Sequence, residues 1–176
     1  MKIKYLIIPC LLAGIMLSGC LKDTPYIDVS NSQPIIEFGL SPANGQFGPF
    51  AFAGDTIGAP ASDIDTAVAV VVASPQVLNS TVTATIQVDP TQVQSFNSAN
   101  GTSFTVLPDS LFALTTSATV QPGYRVGRVA VTLNFSKFPL HHQYALPLAI
   151  VSASAGGGQN LIVSGNSATF MWLFDR

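Results

Sequence analysis

An all-β sandwich with one short helix near residues 90–98 is the fold class that the amino-acid sequence predicts. Three observations carry this reading. Residues 81–88 alternate strictly: Val82, Ala84, Ile86 and Val88 face one way, and Thr81, Thr83, Thr85 and Gln87 the other. The same period of two recurs at Val129, Val131, Leu133 and Phe135, and again at Tyr144, Leu146, Leu148 and Ile150. Turn residues separate the runs, notably Pro122-Gly123, where proline presets one backbone angle and glycine accepts the other. Short alternating strands at regular spacing argue for two packed sheets.

The elements follow in order. Ile35 to Leu40 is a short apolar run. Ser41 to Ser62 has no clear period, and Phe47, Phe50 and Phe52 argue against plain solvation. A short strand at Phe50 to Ala53 is expected there. The functional alternative is an apolar patch for a ligand or partner, built on Phe47, Phe50 and Phe52. Ala67 to Ala73, "AVAVVVA", is apolar at every position, which predicts a central strand buried on both faces. Asp89-Pro90 reads as a helix cap followed by a first-turn proline, and Asn100-Gly101 as the stop. Val93 and Phe96 then share one helix face. Pro147 interrupts "YALPLAI" and predicts an edge strand or a bulge, because proline cannot donate to a ladder. "AGGGQN", Ala155 to Asn160, reads as a flexible hairpin loop. In the last strand Phe170, Trp172 and Phe174 share one face, and Met171 and Leu173 the other. Burial is the favoured reading of Trp172, with a sugar-stacking platform as the alternative. A small membrane barrel is the rival architecture. The N-terminal signals and the charged ending of "FMWLFDR" count against it.

Only 9% of the 176 residues are charged, against 48% hydrophobic; ordinary soluble domains carry roughly 25% charged residues. Ser, Thr, Asn and Gln supply the surface polarity instead. Seven cations against nine carboxylates leave no basic patch of the kind that binds nucleic acid.

The first residues have signal-peptide architecture. Lys2 and Lys4 precede an uncharged, Ile- and Leu-rich stretch, Tyr5 to Leu17, and small residues Ser18 and Gly19 lead to Cys20. Leu17-Ser18-Gly19-Cys20 closely resembles a bacterial lipobox. The resemblance implies cleavage before Cys20, a lipid on its thiol, and stable anchoring by several acyl chains. The alternative is an ordinary signal peptide with Cys20 as a free thiol. Cys10 offers no disulfide, because it lies in the leader's apolar core. The expected division is therefore residues 1–19 as leader, 20–33 as lipidated tether and 34–176 as sandwich. Leu21 to Gln33 extends about 40 Å at ~3.3 Å per residue. Leu21 is not Asp, the residue associated with inner-membrane retention in some bacteria, so outer-membrane delivery is expected. Lys22-Asp23 is only a fragment of an acidic export signal, which leaves the side of the membrane open.

Catalytic and metal chemistry find little footing. No Gly-x-Ser-x-Gly elbow is present, Glu37 is the sole glutamate, and no cofactor motif stands out. His141-His142 is the only histidine pair, with no His or Cys at zinc spacing nearby. Asp63-Ile64-Asp65 offers carboxylates without the rest of a calcium loop. Neither is expected to bind metal, and no enzyme activity is expected.

Two stretches carry a family resemblance: "FNSANGTSFTVLPDSLFAL", Phe96 to Leu114, and "YALPLAI", Tyr144 to Ile150. With "VTATIQVD" and "VQPGYRVGRVAVTL", they resemble domain-of-unknown-function family 1735, found at the N-termini of Bacteroidetes lipoproteins encoded with glycan-utilisation systems. The resemblance spans about Ile35 to Phe174. It implies an immunoglobulin-like antiparallel β-sandwich, a lipid anchor and a non-catalytic accessory role. Where the family prefers Tyr, this chain has Phe96, Phe104 and Phe112, keeping the rings and losing the hydroxyls. Larger members add a glycosidase or lectin-like domain; none is expected in these 176 residues, and no hydrolase activity carries over. The expectation is a lipid-anchored outer-membrane accessory to glycan capture, with Phe47, Phe50, Phe52 and Trp172 as candidate contacts. The alternative is a spacer or interaction module for an envelope protein.

Overall fold

The computed structural model describes residues 29–39, 51–56, 62–157 and 161–176, with 51–56 described by backbone alone. Eleven strands and one α-helix occupy these segments: β1 (Ile35–Phe38), β2 (Ala51–Thr56), β3 (Ile64–Ala73), β4 (Val82–Val88), α1 (Thr91–Asn100), β5 (Thr105–Val106), β6 (Phe112–Leu114), β7 (Ser117–Val120), β8 (Val126–Leu133), β9 (Gln143–Ala155), β10 (Ile162–Val163) and β11 (Thr169–Asp175). One sheet runs β10-β1-β3-β8-β6; the other runs β2-β11-β9-β4-β7, with β5 added beside β9. The architecture is the expected β-sandwich. Most pairings are antiparallel, but β1/β10, β2/β11 and β5/β9 are parallel.

The alternating residues become the core. Val82, Ala84 and Ile86 of β4, Val129, Val131 and Leu133 of β8, and Leu146, Leu148 and Ile150 of β9 are all buried between the sheets. Ile36 and Phe38 of β1 and Val68, Val70 and Val72 of β3, in the same sheet as β8, complete that sheet's share of the core. Burying a side chain of this size stabilises the fold by about 1.5–3 kcal/mol. The turn at Pro122-Gly123 forms as expected: Gly123 takes φ 81°, and the Tyr124 amide donates to the Gln121 carbonyl at 3.1 Å.

Helix α1 covers the outer face of the second sheet. Val93 and Phe96 are buried there against Ala145 of β9 and Met171 of β11, forming a second, smaller core. The Asp89 carboxylate accepts from the Thr91 amide (3.1 Å), the Thr91 hydroxyl (2.6 Å) and the Gln92 side-chain amide (2.9 Å). Pro90 itself already has helical angles, so the cap comes from the residue before it. Gly101, at φ 65°, ends the helix by donating its amide to the Asn97 carbonyl. Among the described residues no helix is long and apolar enough to cross a membrane.

Three expectations are corrected. β3 is central, as predicted, but only Val68, Val70 and Val72 are buried; Ala67 and Ala73 are exposed and Ala69 and Val71 half-buried. β9, with Pro147, is an interior strand between β11 and β4. The Pro147 carbonyl accepts the Asp89 amide at 3.0 Å, so its nitrogen faces the same side. There antiparallel β4 ends, with Val88 opposite Leu148, and parallel β5 takes over, with Val106 opposite Ala145. The missing N–H falls at that seam and breaks no ladder bond to β11. β9 does carry a bulge, but at Val151, where the register steps from Ser152 to Ile150. Finally, the Ala155 to Asn160 stretch, of which 158–160 lie outside the described residues, joins β9 to β10 in the opposite sheet and is not a hairpin.

Candidate functional site

The start of β9 and the end of β11 lie side by side at one end of the sandwich, with Gln143 opposite Asp175. β5 joins β9 there from the other side, with Thr105 opposite Tyr144. Together they frame a groove of about 440 Å³ lined by Ser103, Thr105, His141, His142, Gln143, Asp175 and Arg176.

The backbone makes this site. His141 adopts φ 61°, the left-handed region that residues with a Cβ rarely enter. The chain thereby turns sharply into β9, and both histidines border the groove. Below the turn, His142 and Arg176 exchange backbone hydrogen bonds, at 3.0 and 3.2 Å. The Arg176 guanidinium donates to the carbonyls of Phe135 (2.7 Å) and Phe138 (2.5 Å), tying the 3-10 turn after β8 to the end of β11. The His142 ring lies flat on Tyr144, with centroids 5.6 Å apart and planes 9° from parallel. Tyr144 packs edge-on to Phe138, and Phe138 to Phe174. The His142 ring therefore rests on the aromatic core. Gln143 donates weakly to Asp175 at 3.4 Å, and the Thr105 hydroxyl donates to the Gln143 carbonyl at 3.2 Å.

The residues singled out from sequence are scattered. Cys20, Phe47 and Phe50 lie outside the described residues. Phe52 is in β2, paired through its backbone with Met171, whereas Trp172 pairs with Ala53. Trp172 is half-buried, stacked on Phe174 at 5.5 Å and edge-on to Phe170 at 6.1 Å. Its face matches the expectation: Phe170, Trp172 and Phe174 contact the main core, while Met171 and Leu173 contact the smaller one. Asp63 accepts from the Ser136 hydroxyl at 2.8 Å and Asp65 from the Thr132 hydroxyl at 2.7 Å, so both carboxylates brace the entry to β3. Among the described residues no three His, Cys, Asp or Glu side chains come together to hold a metal ion.

A family model for a "-like, N-terminal domain" matches residues 47–157, well over half of the chain. A solved structure with the same fold is a multidomain protein including DUF1735 from Bacteroides ovatus (14% identity, TM-score 0.57, covering 80% of this chain and 44% of that one). This chain belongs to the DUF1735-like family. Two further structures share the sandwich. One is a Bacteroides ovatus protein provisionally described as carbohydrate-binding (15% identity, TM-score 0.60, 80% of this chain and 36% of that one). The other is EndoBT-3987 of Bacteroides thetaiotamicron, solved with a Man5GlcNAc product (17% identity, TM-score 0.53, 70% of this chain and 28% of that one). At these identities the likeness is one of fold. The chain spans less than half the length of each of the three. No curated protein matches it.

The stretches behind the family resemblance serve the DUF1735-like scaffold. Phe96 to Leu114 supplies the end of α1, β5 and β6, and Tyr144 to Ile150 forms the buried part of β9. Phe96 and Phe104 pack edge to face at 6.2 Å, so the rings remain useful without the hydroxyls. The groove was not legible in advance, since its residues come from three separate segments. His141-His142 was the only local signal of it. Tyr124, in the turn that leads from β7 into β8, is also exposed.

Proposed function

We propose that this DUF1735-like domain is a non-catalytic, lipid-anchored outer-membrane module that assists glycan capture. The observation that carries the proposal is the recurrence of this sandwich as one part of longer Bacteroides proteins, among them one provisionally described as carbohydrate-binding and one solved with a glycan product. Fold alone does not transfer a function; the polar groove adds a local reason. Anchoring would come from Cys20, with the 20–33 tether holding the sandwich off the bilayer. Phe47, Phe50, Phe52 and Trp172 stay proposed contacts for a ligand or an envelope partner.

A second reading has its own support. Because the sandwich occupies under half of each longer structure, it also suits a spacer that positions a neighbouring domain or protein. A glycan array probed with the purified chain separates the two. Binding to a defined set of glycans supports capture. No binding, together with a stable envelope partner in pull-downs, supports the spacer.

A further inference from the structure

We infer that the outer face of the β10-β1-β3-β8-β6 sheet is a self-association surface, on which a second copy of this chain docks sheet to sheet and each Glu37 pairs with the partner's Arg128. The two outer faces of the sandwich differ in kind. On the other sheet, strand register lines up Thr83 of β4 with Thr119 of β7 and Ser154 of β9, and Thr85 with Ser117 and Ser152, all six exposed. Such hydroxyls suit contact with water. On this sheet the outward positions of β3 are Ala67, Ala69, Val71 and Ala73, none of them fully buried. Ile35 of β1 lies beside Ala73, Ile162 of β10 beside Ile35, and Val126 of β8 beside Val71. Their exposures are 36%, 45% and 50%. Helix α1 packs on the other sheet. A contiguous exposed apolar face marks an interaction surface.

Charge selects the occupant. Asp65, at the start of β3, is engaged by the Thr132 hydroxyl. Glu37 and Arg128 sit nearer the centre, and neither side chain has an ionic or hydrogen-bonding partner among the described residues. Glu37 lies opposite Val71 and Arg128 opposite Ala69, so the two flank β3 on opposite sides, one same-face step apart. A two-fold axis laid along β3 between two such faces puts β1 of one copy over β8 of the other. Each Glu37 then comes over Val126 of the partner subunit, ~7 Å along the strand from the partner's Arg128. An arginine side chain covers that step. The same operation returns the reciprocal pair, as a self-complementary contact requires. A wholly apolar partner would instead desolvate both charges without a counter-charge.

Shape and size agree. Alanine at 67, 69 and 73 keeps the face low, so two sheets can approach in aligned packing, within about 30° of each other. Five strands at ~4.8 Å spacing, with β3 ~33 Å long and β1, β6 and β10 shorter, give on the order of 500–600 Å² a copy. The pair then buries about 1,000–1,200 Å², the lower end for specific interfaces, so association is weak and concentration-dependent.

The test is sedimentation equilibrium of the full chain in density-matched detergent over a range of concentrations, where a reversible monomer–dimer equilibrium is expected. Glu37→Arg and Arg128→Glu should each weaken it at least about tenfold, because like charges then meet across the axis. The double variant, Glu37→Arg with Arg128→Glu, should recover to within about threefold of the parent. Ala67→Lys, exposed on β3 itself, is an independent disruption with the same expected loss of about tenfold. Thr83→Arg, on the hydroxyl-lined face, should stay within about twofold. Thermal melting checks that each variant folds. Single reversals that leave the dimer intact, a double variant that fails to recover, or an equal loss in Thr83→Arg overturns the proposal. A chain that is monomeric at every concentration overturns it too, even if the same face captures an envelope protein.

Discussion

Gly127 of β8 lies so close to Thr119 of β7 that an added Cβ would stand 2.7 Å from the Thr119 carbonyl oxygen. The Thr119 carbonyl carbon and Val120 Cγ2 follow at 2.9 and 3.0 Å. β7 belongs to one sheet and β8 to the other, so this is a point where the two layers meet without a side chain between them. Because backbone cannot swing aside as a side chain does, Gly127→Ala is expected to destabilise by about 1–3 kcal/mol, the usual cost of overpacking. Gly156→Ala, whose nearest neighbour would be Ser80 Cβ at 3.6 Å, should stay within about 1 kcal/mol of the parent. Urea denaturation of the two variants checks the contrast. Equal midpoints would contradict the close approach.

Asp89 gives a pH-dependent prediction. Hydrogen bonds from the Thr91 hydroxyl, then the Gln92 side chain, then the Thr91 amide hold its carboxyl below the ordinary value of 3.8, against a smaller opposing effect of burial. A depressed carboxyl pKa stabilises the fold fully above the unfolded value, and the contribution disappears as pH falls through the folded one. Asp89→Ala should therefore cost about 1 kcal/mol near neutral pH, the typical value of a helix cap. The gap between parent and variant should close below pH 3.8. Parallel urea titrations at neutral and acid pH measure it, and a gap that persists in acid would sink this account of the cap.

Phe174 and Trp172 sit two residues apart on one face but differ in burial. Phe174 is fully buried and packs edge-on to Phe135 and Phe138, at 5.9 and 5.6 Å. Phe174→Ala should cost about 3–5 kcal/mol. Half-buried Trp172→Ala should cost less, and thermal melts of the pair decide the order. A larger loss at Trp172 would show that it anchors the core more than its partial exposure implies.

Cys20→Ser addresses the anchor. If Cys20 carries the lipid, the variant should leave the membrane pellet for the soluble fraction on cell fractionation. Retention in the pellet would contradict lipid anchoring.

The alternating strands were legible because one buried face imposes a period of two, as at Val82, Ala84 and Ile86. Helix α1 was legible from Asp89-Pro90 and Asn100-Gly101, since capping is local chemistry. What escaped depends on which strands become neighbours. The run from Ala67 to Ala73 looks two-sided, yet hydropathy does not say whether a second layer covers the outer face. Pro147 argued for an edge because a lone strand cannot show that β4 and β5 share its flank and leave a seam. The groove is further from reach still: Thr105, Gln143 and Asp175 come together only through pairing across more than 30 residues of chain.

The central claim is capture of glycan without turnover. It is tested most directly by affinity electrophoresis of the full chain in gels containing individual polysaccharides, with product analysis after prolonged incubation. The account predicts retarded migration in at least one polysaccharide and no shortening of its chains. Unretarded migration in every gel, or release of shorter saccharides by the purified chain, would contradict it.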